Sequence, residues 1–138
     1  MPTDILQPKC KIHALRRFAE RYFPAHIDEI PPEDRLFLAR IMYECNKYKS
    51  NKNLLEKYES QTVEIKNLPH SIKEFFLSAY TSNVIDDPCL KRTLEEKQRK
   101  SNHNNQCWHF FTSYKSYVVL FIKSQYKDEI IATTVYEK

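Results

Sequence analysis

Glycine is absent from this 138-residue chain, although ordinary usage would supply about 7%. That absence excludes three devices whose backbones need glycine: the P-loop, the G-x-G-x-x-G dinucleotide turn and the G-x-S-x-G nucleophile elbow. Any phosphate must therefore be held by side chains or by a helix N-terminus. Cysteine is present but scattered. Cys10, Cys45, Cys89 and Cys107 form no C-x-x-C pair, so neither a zinc ribbon nor a thioredoxin-type site is suggested, and reduced thiols in a cytoplasmic protein are expected. Long apolar runs are missing as well. YVVLFI at 117–122 is far too short to span a bilayer, and MPTDILQPKC at the start lacks a basic-then-apolar export pattern. No membrane partner is expected.

Charge of one sign does not dominate. The 22 Lys and Arg stand against 18 Asp and Glu, a net +4 that favours a polyanionic partner without requiring one. Apolar and aromatic residues are plentiful, and a chain of this length buries about two-thirds of its unfolded surface. These features predict one soluble globular domain, residues 1–138.

Periodicity predicts a first helix over about 9–22, with Leu15, Phe18, Ala19 and Tyr22 on one side and Pro24 ending it. IPPED at 30–34 reads as a helix start, with proline in the first turn and acids near the positive end of the dipole. Leu36, Phe37, Ile41, Cys45 and Tyr48 continue that second helix. NKYKSNKN at 46–53 is expected to be a loop and QTVEIKN a short strand. SIKEFFLSAY is expected to be a third helix, with Ser71 and Glu74 at capping-box spacing. The polar segment 91–106 reads as a loop or an exposed helix whose Lys91, Arg92, Lys97, Arg99 and Lys100 are solvated or touch a nucleic-acid backbone. Beyond it CWHFFTSY, SYVVLFIKS and EIIATTVY read as an antiparallel meander. Helices first and sheet last is the α+β class.

One stretch carries chemistry. HALRRFAERY, residues 13–22, spaces His13, Arg17 and Arg21 four apart. At 100° per residue they form a strip about 12 Å long, opposite Leu15, Phe18 and Tyr22. Imidazole moves protons near neutrality and guanidinium grips phosphate through two donors at once. A plain surface helix accounts for the same spacing, with Arg16 and Glu20 as an i,i+4 pair. On the last strand Ala132, Thr134 and Tyr136 are expected on one face and Ile131, Thr133 and Val135 on the other. His103, Cys107 and His109, spaced H-x-x-x-C-x-H, match no regular zinc site and lack an evident fourth ligand, so neither metal nor cofactor is expected.

The H-A-x-x-R-x-x-x-R helix, followed by a second helix and a closing meander with Thr-x-Tyr near its end, resembles the small ribonuclease toxins of the barnase, EndoU, colicin and RelE superfamily. The likeness covers the first helix and the terminal strands. It implies metal-independent RNA cleavage by attack of a ribose 2′-OH on the adjacent phosphorus, giving 2′,3′-cyclic phosphate and 5′-OH ends. His13 would be the acid or base, Arg17 and Arg21 would hold the phosphate, and Thr134 and Tyr136 would position it. His109 is the candidate for a second proton-transfer group. RNA, an antitoxin or inhibitor protein and the ribosome are the partners so implied. The alternative expectation is a non-enzymatic protein-interaction module, a small inhibitor or adaptor.

Overall fold

The computed structural model describes residues 8–81, 92, 107–124 and 129–137, with backbone alone at 107–110 and 124. It begins with a short strand, β1 (Lys9–Lys11), which turns directly into helix α1 (Ile12–Arg17). The helix runs on as a π-helical turn, Phe18–Tyr22, and two 3₁₀ turns, Phe23–Ala25 and Ile27–Glu29. Next come α2 (Pro32–Lys47), α3 (Lys52–Glu59), β2 (Thr62–Glu64), a 3₁₀ turn (Ile65–Asn67) and α4 (His70–Tyr80). The meander follows as β3 (Cys107–Tyr114), β4 (Tyr117–Ser124) and β5 (Ile130–Glu137). The strands form one sheet in the order β2-β1-β5-β4-β3. β1 runs parallel to β5 and every other pair is antiparallel. The class is α+β, with helices preceding the meander.

Three local expectations are corrected. Residues 9–11 are strand rather than the start of a helix, because Lys9 and Cys10 pair with Ile131 and Ala132 and their backbone bonds go to the sheet. The loop expected over 46–53 is shorter, since α3 starts at Lys52 with the Asn51 side chain accepting from the Leu54 amide at 3.2 Å, an ordinary N-cap. The capping box of Ser71 and Glu74 is not made. Pro69 occupies the cap position without a side-chain bond, and Ser71 instead donates its amide and hydroxyl to Asp34 Oδ2 at 3.1 and 2.6 Å. A carboxylate in the first turn of α2 thus satisfies the first turn of α4. Only 6% of Asp34 is exposed, so this bond ties the two helices where water cannot replace it.

The core lies between the helices and one face of the sheet. Leu15, Phe18, Ala19 and Tyr22 are buried, as the periodicity requires, against Tyr117, Val119 and Phe121 of β4, Ala132 and Val135 of β5, and Ile72, Phe75 and Phe76 of α4. The Phe18 ring lies 4.9 Å from Phe75 and 5.7 Å from Phe76. Burying such a ring is worth about 1.5–3 kcal/mol. These contacts fix α1 across β5, and its polar side is left outside the core.

The sheet carries one irregularity beside that helix. Leu120 stands opposite Thr134 while the next residue, Phe121, stands opposite Ala132, so Thr133 is an extra residue in β5. A bulge of this kind reverses the alternation beyond it. Ala132 and Thr134 therefore lie on opposite faces, against the expectation that they share one. Thr134 and Tyr136 do share a face, the one turned away from the helices, where Tyr136 packs on Phe111, Val118 and Leu120.

Candidate functional site

α1 follows β1 directly, and β1 is the neighbour of β5 in the sheet. β1 accompanies β5 only as far as Ala132. Beyond that point, among the described residues, no strand covers this edge of β5. Its backbone still needs partners. Arg21 supplies one, donating from Nη1 to the carbonyl oxygen of Val135, and its guanidinium lies 5.7 Å from the centre of the Tyr136 ring. Burial raises the Tyr136 phenol above its ordinary pKa against the opposing pull of Arg21 and Arg17. Arg21 and Tyr136, far apart in sequence, thus meet at the strand edge.

The strip is not the regular ridge that a helix of 100° per residue would give. Residues 18–22 form a π turn, closed by the Phe23 amide on the Phe18 carbonyl, so Arg17 and Arg21 are not set by a regular repeat of 100° per residue. π turns inserted in α-helices recur at functional sites. Arg17 Nη1 binds Glu20 Oε1 at 2.6 Å, and Arg16 Nε binds Glu20 Oε2 at 3.2 Å, the second being the i,i+4 pair expected from the sequence.

His13 is held from another helix. Its Nδ1 lies 2.6 Å from Glu59 Oε2, at the end of α3, and Arg16 Nη1 lies 3.1 Å from Glu59 Oε1. Burial would raise the Glu59 carboxyl, but the hydrogen bond and charge of His13, with Arg16 and Arg17, outweigh it and hold its pKa below the usual value. An ionised carboxylate accepts only, so Nδ1 carries the proton in this pair. Nε2 has no partner among the described residues, and the imidazole is 32% exposed. The arrangement orients a histidine with one nitrogen fixed and the other free to exchange a proton. Arg16 and Arg17 are matched by Glu20 and Glu59, and Arg21, at the edge of β5, adds a positive charge with no carboxylate bound to it among the contacts described.

Thr134 is 8% exposed and shares the Tyr136 face rather than the helix side. His109 stands opposite Ile122 on β3, with β4 between it and β5. The register sets its backbone about 14 Å along the sheet from the Tyr136 row, outside the group formed by α1 and the end of β5. Among the described residues no cluster of three or more His, Cys, Asp or Glu could hold a metal. His103 lies outside the described residues, as does the basic segment 91–106 apart from Arg92. Cys10 and Cys45 are buried free thiols, and no helix among the described residues is long and apolar enough to cross a membrane.

Glu59 is the functional candidate that sequence reasoning missed. Its signal was present in NKNLLEKYES, where Asn51 precedes Leu54, Leu55 and Tyr58 at helical spacing. Compared with protein-family models, curated proteins and solved structures, the chain matches none.

Proposed function

We propose that the chain is an endoribonuclease that cleaves RNA through the ribose 2′-OH. The observation that supports it is the His13–Glu59 pair, with Nδ1 engaged at 2.6 Å and Nε2 unpartnered among the described residues, on the helical segment that also carries Arg16, Arg17 and Arg21. In this reading Nε2 takes the 2′-OH proton and O2′ forms a bond to phosphorus. The bond from phosphorus to the 5′ oxygen breaks, and that oxygen leaves with a proton from solvent. Arg17 and the remaining donors of Arg21 stabilise the charge that develops on the phosphoryl oxygens. Tyr136, under the Arg21 guanidinium, offers a ring and a protonated phenol to position the chain of the substrate, with Thr134 behind it on the same strand. Glu59 is a positioning residue: it holds the tautomer and stabilises the imidazolium that forms.

The test is incubation of purified protein with total cellular RNA in EDTA, with end-group analysis of the fragments and His13→Ala as control. Cyclic-phosphate ends that vanish with the substitution support the reading. Intact RNA overturns it for free RNA and turns the question to cleavage on the ribosome.

A second reading rests on α2. Leu36 and Tyr43, seven residues apart on one side of that helix, are 69% and 68% exposed, which supports a protein-interaction module. A stoichiometric complex lost on Leu36→Ser with Tyr43→Ser, and no RNA scission, would favour it over the nuclease.

A further inference from the structure

The residue after Arg21 opens a second feature. Tyr22, at the end of the π turn, lines a cleft of about 320 Å³ together with Glu29, Glu74, Phe75, Tyr114 and Lys115. Phe75 is nearly buried at its back, with the Tyr22 and Tyr114 rings 4.5 and 5.6 Å from it. Tyr22 and Phe75 are each 3% exposed, and the Tyr22 ring is stacked between Phe18 and His26, so the half-buried Tyr114 is the ring that the cleft presents. Lys115 bridges the rim, with Nζ 2.7 Å from Glu29 Oε1 and 3.1 Å from the Tyr22 hydroxyl, while that hydroxyl donates to Glu29 at 2.8 Å. The Glu29 carboxyl is held below its usual pKa by these bonds, chiefly the one from Lys115. On the opposite rim stands Glu74, whose side chain is 66% exposed and lies 3.2 Å from His70.

The backbone reinforces the arrangement. Lys115 has φ of 56° at the first position of the two-residue turn between β3 and β4. That is a conformation glycine favours and other residues adopt only at a cost in strain. Such strain persists where surrounding contacts hold it, and these positions cluster at functional sites.

The polar groups select the ligand. Two carboxylates against one ammonium make the rim net negative, so a phosphate is repelled from it. Carboxylates accept and the ammonium donates, so the rim suits a ring edge that carries both amino hydrogens and acceptor atoms. A simple amine would use only the acceptors. The half-buried Tyr114 ring is the surface on which a flat π face can stack. The volume lies at the small end of ligand pockets, about 300–1,000 Å³, which admits one ring system rather than a folded oligonucleotide. The positive strip of α1 ends at Arg21, directly before Tyr22.

We infer that the cleft between Tyr22, Glu29, Glu74, Phe75, Tyr114 and Lys115 binds a single unpaired nucleobase bearing an exocyclic amino group. The base belongs to the RNA strand whose phosphates lie along α1, and the inference rests on the ribonuclease reading for that assignment. The base stacks on Tyr114, its amino group donates to Glu74 or Glu29, and Lys115 donates to a ring nitrogen or carbonyl.

The experiment is a titration of the full chain with adenosine, cytidine, uridine and ribose, followed by backbone amide shifts in the NMR spectrum. Adenosine and cytidine are expected to shift the amides of residues 74, 114 and 115. Uridine, which lacks the amino group, is expected to bind at least tenfold more weakly, and ribose not at all. Glu74→Ala, at an exposed position that leaves the fold intact, is expected to weaken adenosine at least fivefold, while Tyr43→Ser, on the exposed side of α2, leaves it unchanged. Equal binding of uridine, no effect of Glu74→Ala, or shifts confined to other regions would each overturn the inference. Because nucleoside binding is read apart from cleavage, a cleft that binds no base in an active nuclease removes this inference alone. A cleft that binds bases in a chain that cuts no RNA removes the nuclease reading alone.

Discussion

Glu59 accepts a hydrogen bond from His13 at 2.6 Å although 46 residues separate them. The contact joins the start of α1 to the end of α3 and leaves the histidine Nε2 as the exchangeable nitrogen. If His13 is the proton-transfer group, His13→Ala lowers RNA cleavage by about 10²- to 10⁴-fold. Its unfolding free energy should fall by no more than about 1 kcal/mol, as for a partly exposed ion pair, because Glu59 keeps Arg16. Cleavage assays run beside urea titrations separate the two effects. Full activity in the alanine variant removes His13 from the mechanism.

Glu59→Gln is the sharper probe of how the histidine is held. A glutamine retains a carbonyl acceptor but loses the charge that stabilises an imidazolium, and its amide can rotate to favour the wrong tautomer. Cleavage should drop at least tenfold, short of the roughly 10⁴-fold seen when a triad aspartate becomes asparagine. A glutamine variant with unchanged rate would reduce the contact to a tie between helices.

The same carboxylate sets a pH dependence of stability. Its pKa is lower in the folded chain than the ordinary glutamate value, about 4.3, so the unfolded state binds more protons and stability rises with pH across that window. The contribution is complete above the ordinary value and is lost as pH falls through the folded one. Urea midpoints of the parent chain should therefore decline below about pH 4.3, and those of Glu59→Gln should decline less steeply. Parallel curves would show that Glu59 contributes nothing to acid lability.

Asp34 is the second long-range carboxylate contact. It receives both the amide and the hydroxyl of Ser71 in a buried position, so Asp34→Ala leaves two donors unsatisfied at the start of α4. A loss of about 1.5–3 kcal/mol is expected from removing a charged acceptor. Ser71→Ala removes one donor and leaves the amide bond, so it should cost about 1 kcal/mol. Equilibrium denaturation of both variants checks the ranking, and an equal cost would mean that the amide bond carries none of it.

These contacts mark the limit of what the chain reveals before it folds. The apolar side of α1, the IPPED helix start and the three strands of the meander are written in local periodicity and formed as expected, whereas on α2 Ile41 and Cys45 are buried but Leu36, expected beside them, is 69% exposed and Leu38 takes its place in the core. β1 is not written there, because three residues, Lys9–Lys11, are too few to show alternation, and their partner β5 lies at the other end of the chain. The π turn at 18–22 and the bulge at Thr133 each insert a residue into a regular repeat, and the repeat was the only signal being read. Two consequences follow for the site. Arg17 and Arg21 are not spaced by an ideal helix, and Ala132 is not on the Thr134 face. His13, Arg17, Arg21 and Tyr136 were legible as residue types, but Glu59 required knowing that 52–59 is a helix and that its end meets α1.

Lys115 gives a test in which the usual ranking of two residues reverses. At most positions alanine is preferred to glycine, because glycine loses more chain entropy on folding, about 0.4–1 kcal/mol. At φ of 56° the Cβ of alanine is penalised by about 1–2 kcal/mol, which exceeds that entropy. Both Lys115→Gly and Lys115→Ala delete the ammonium that binds Glu29 and Tyr22, so the loss of those bonds cancels between them. Lys115→Gly should therefore be more stable than Lys115→Ala by about 1 kcal/mol, measured as the difference in urea unfolding free energy. The two variants should lose nucleoside binding alike, since neither supplies the donor at the rim of the cleft. If alanine is the more stable, the turn at 115–116 does not hold positive φ in solution, and the strain argument for a built cleft falls with it.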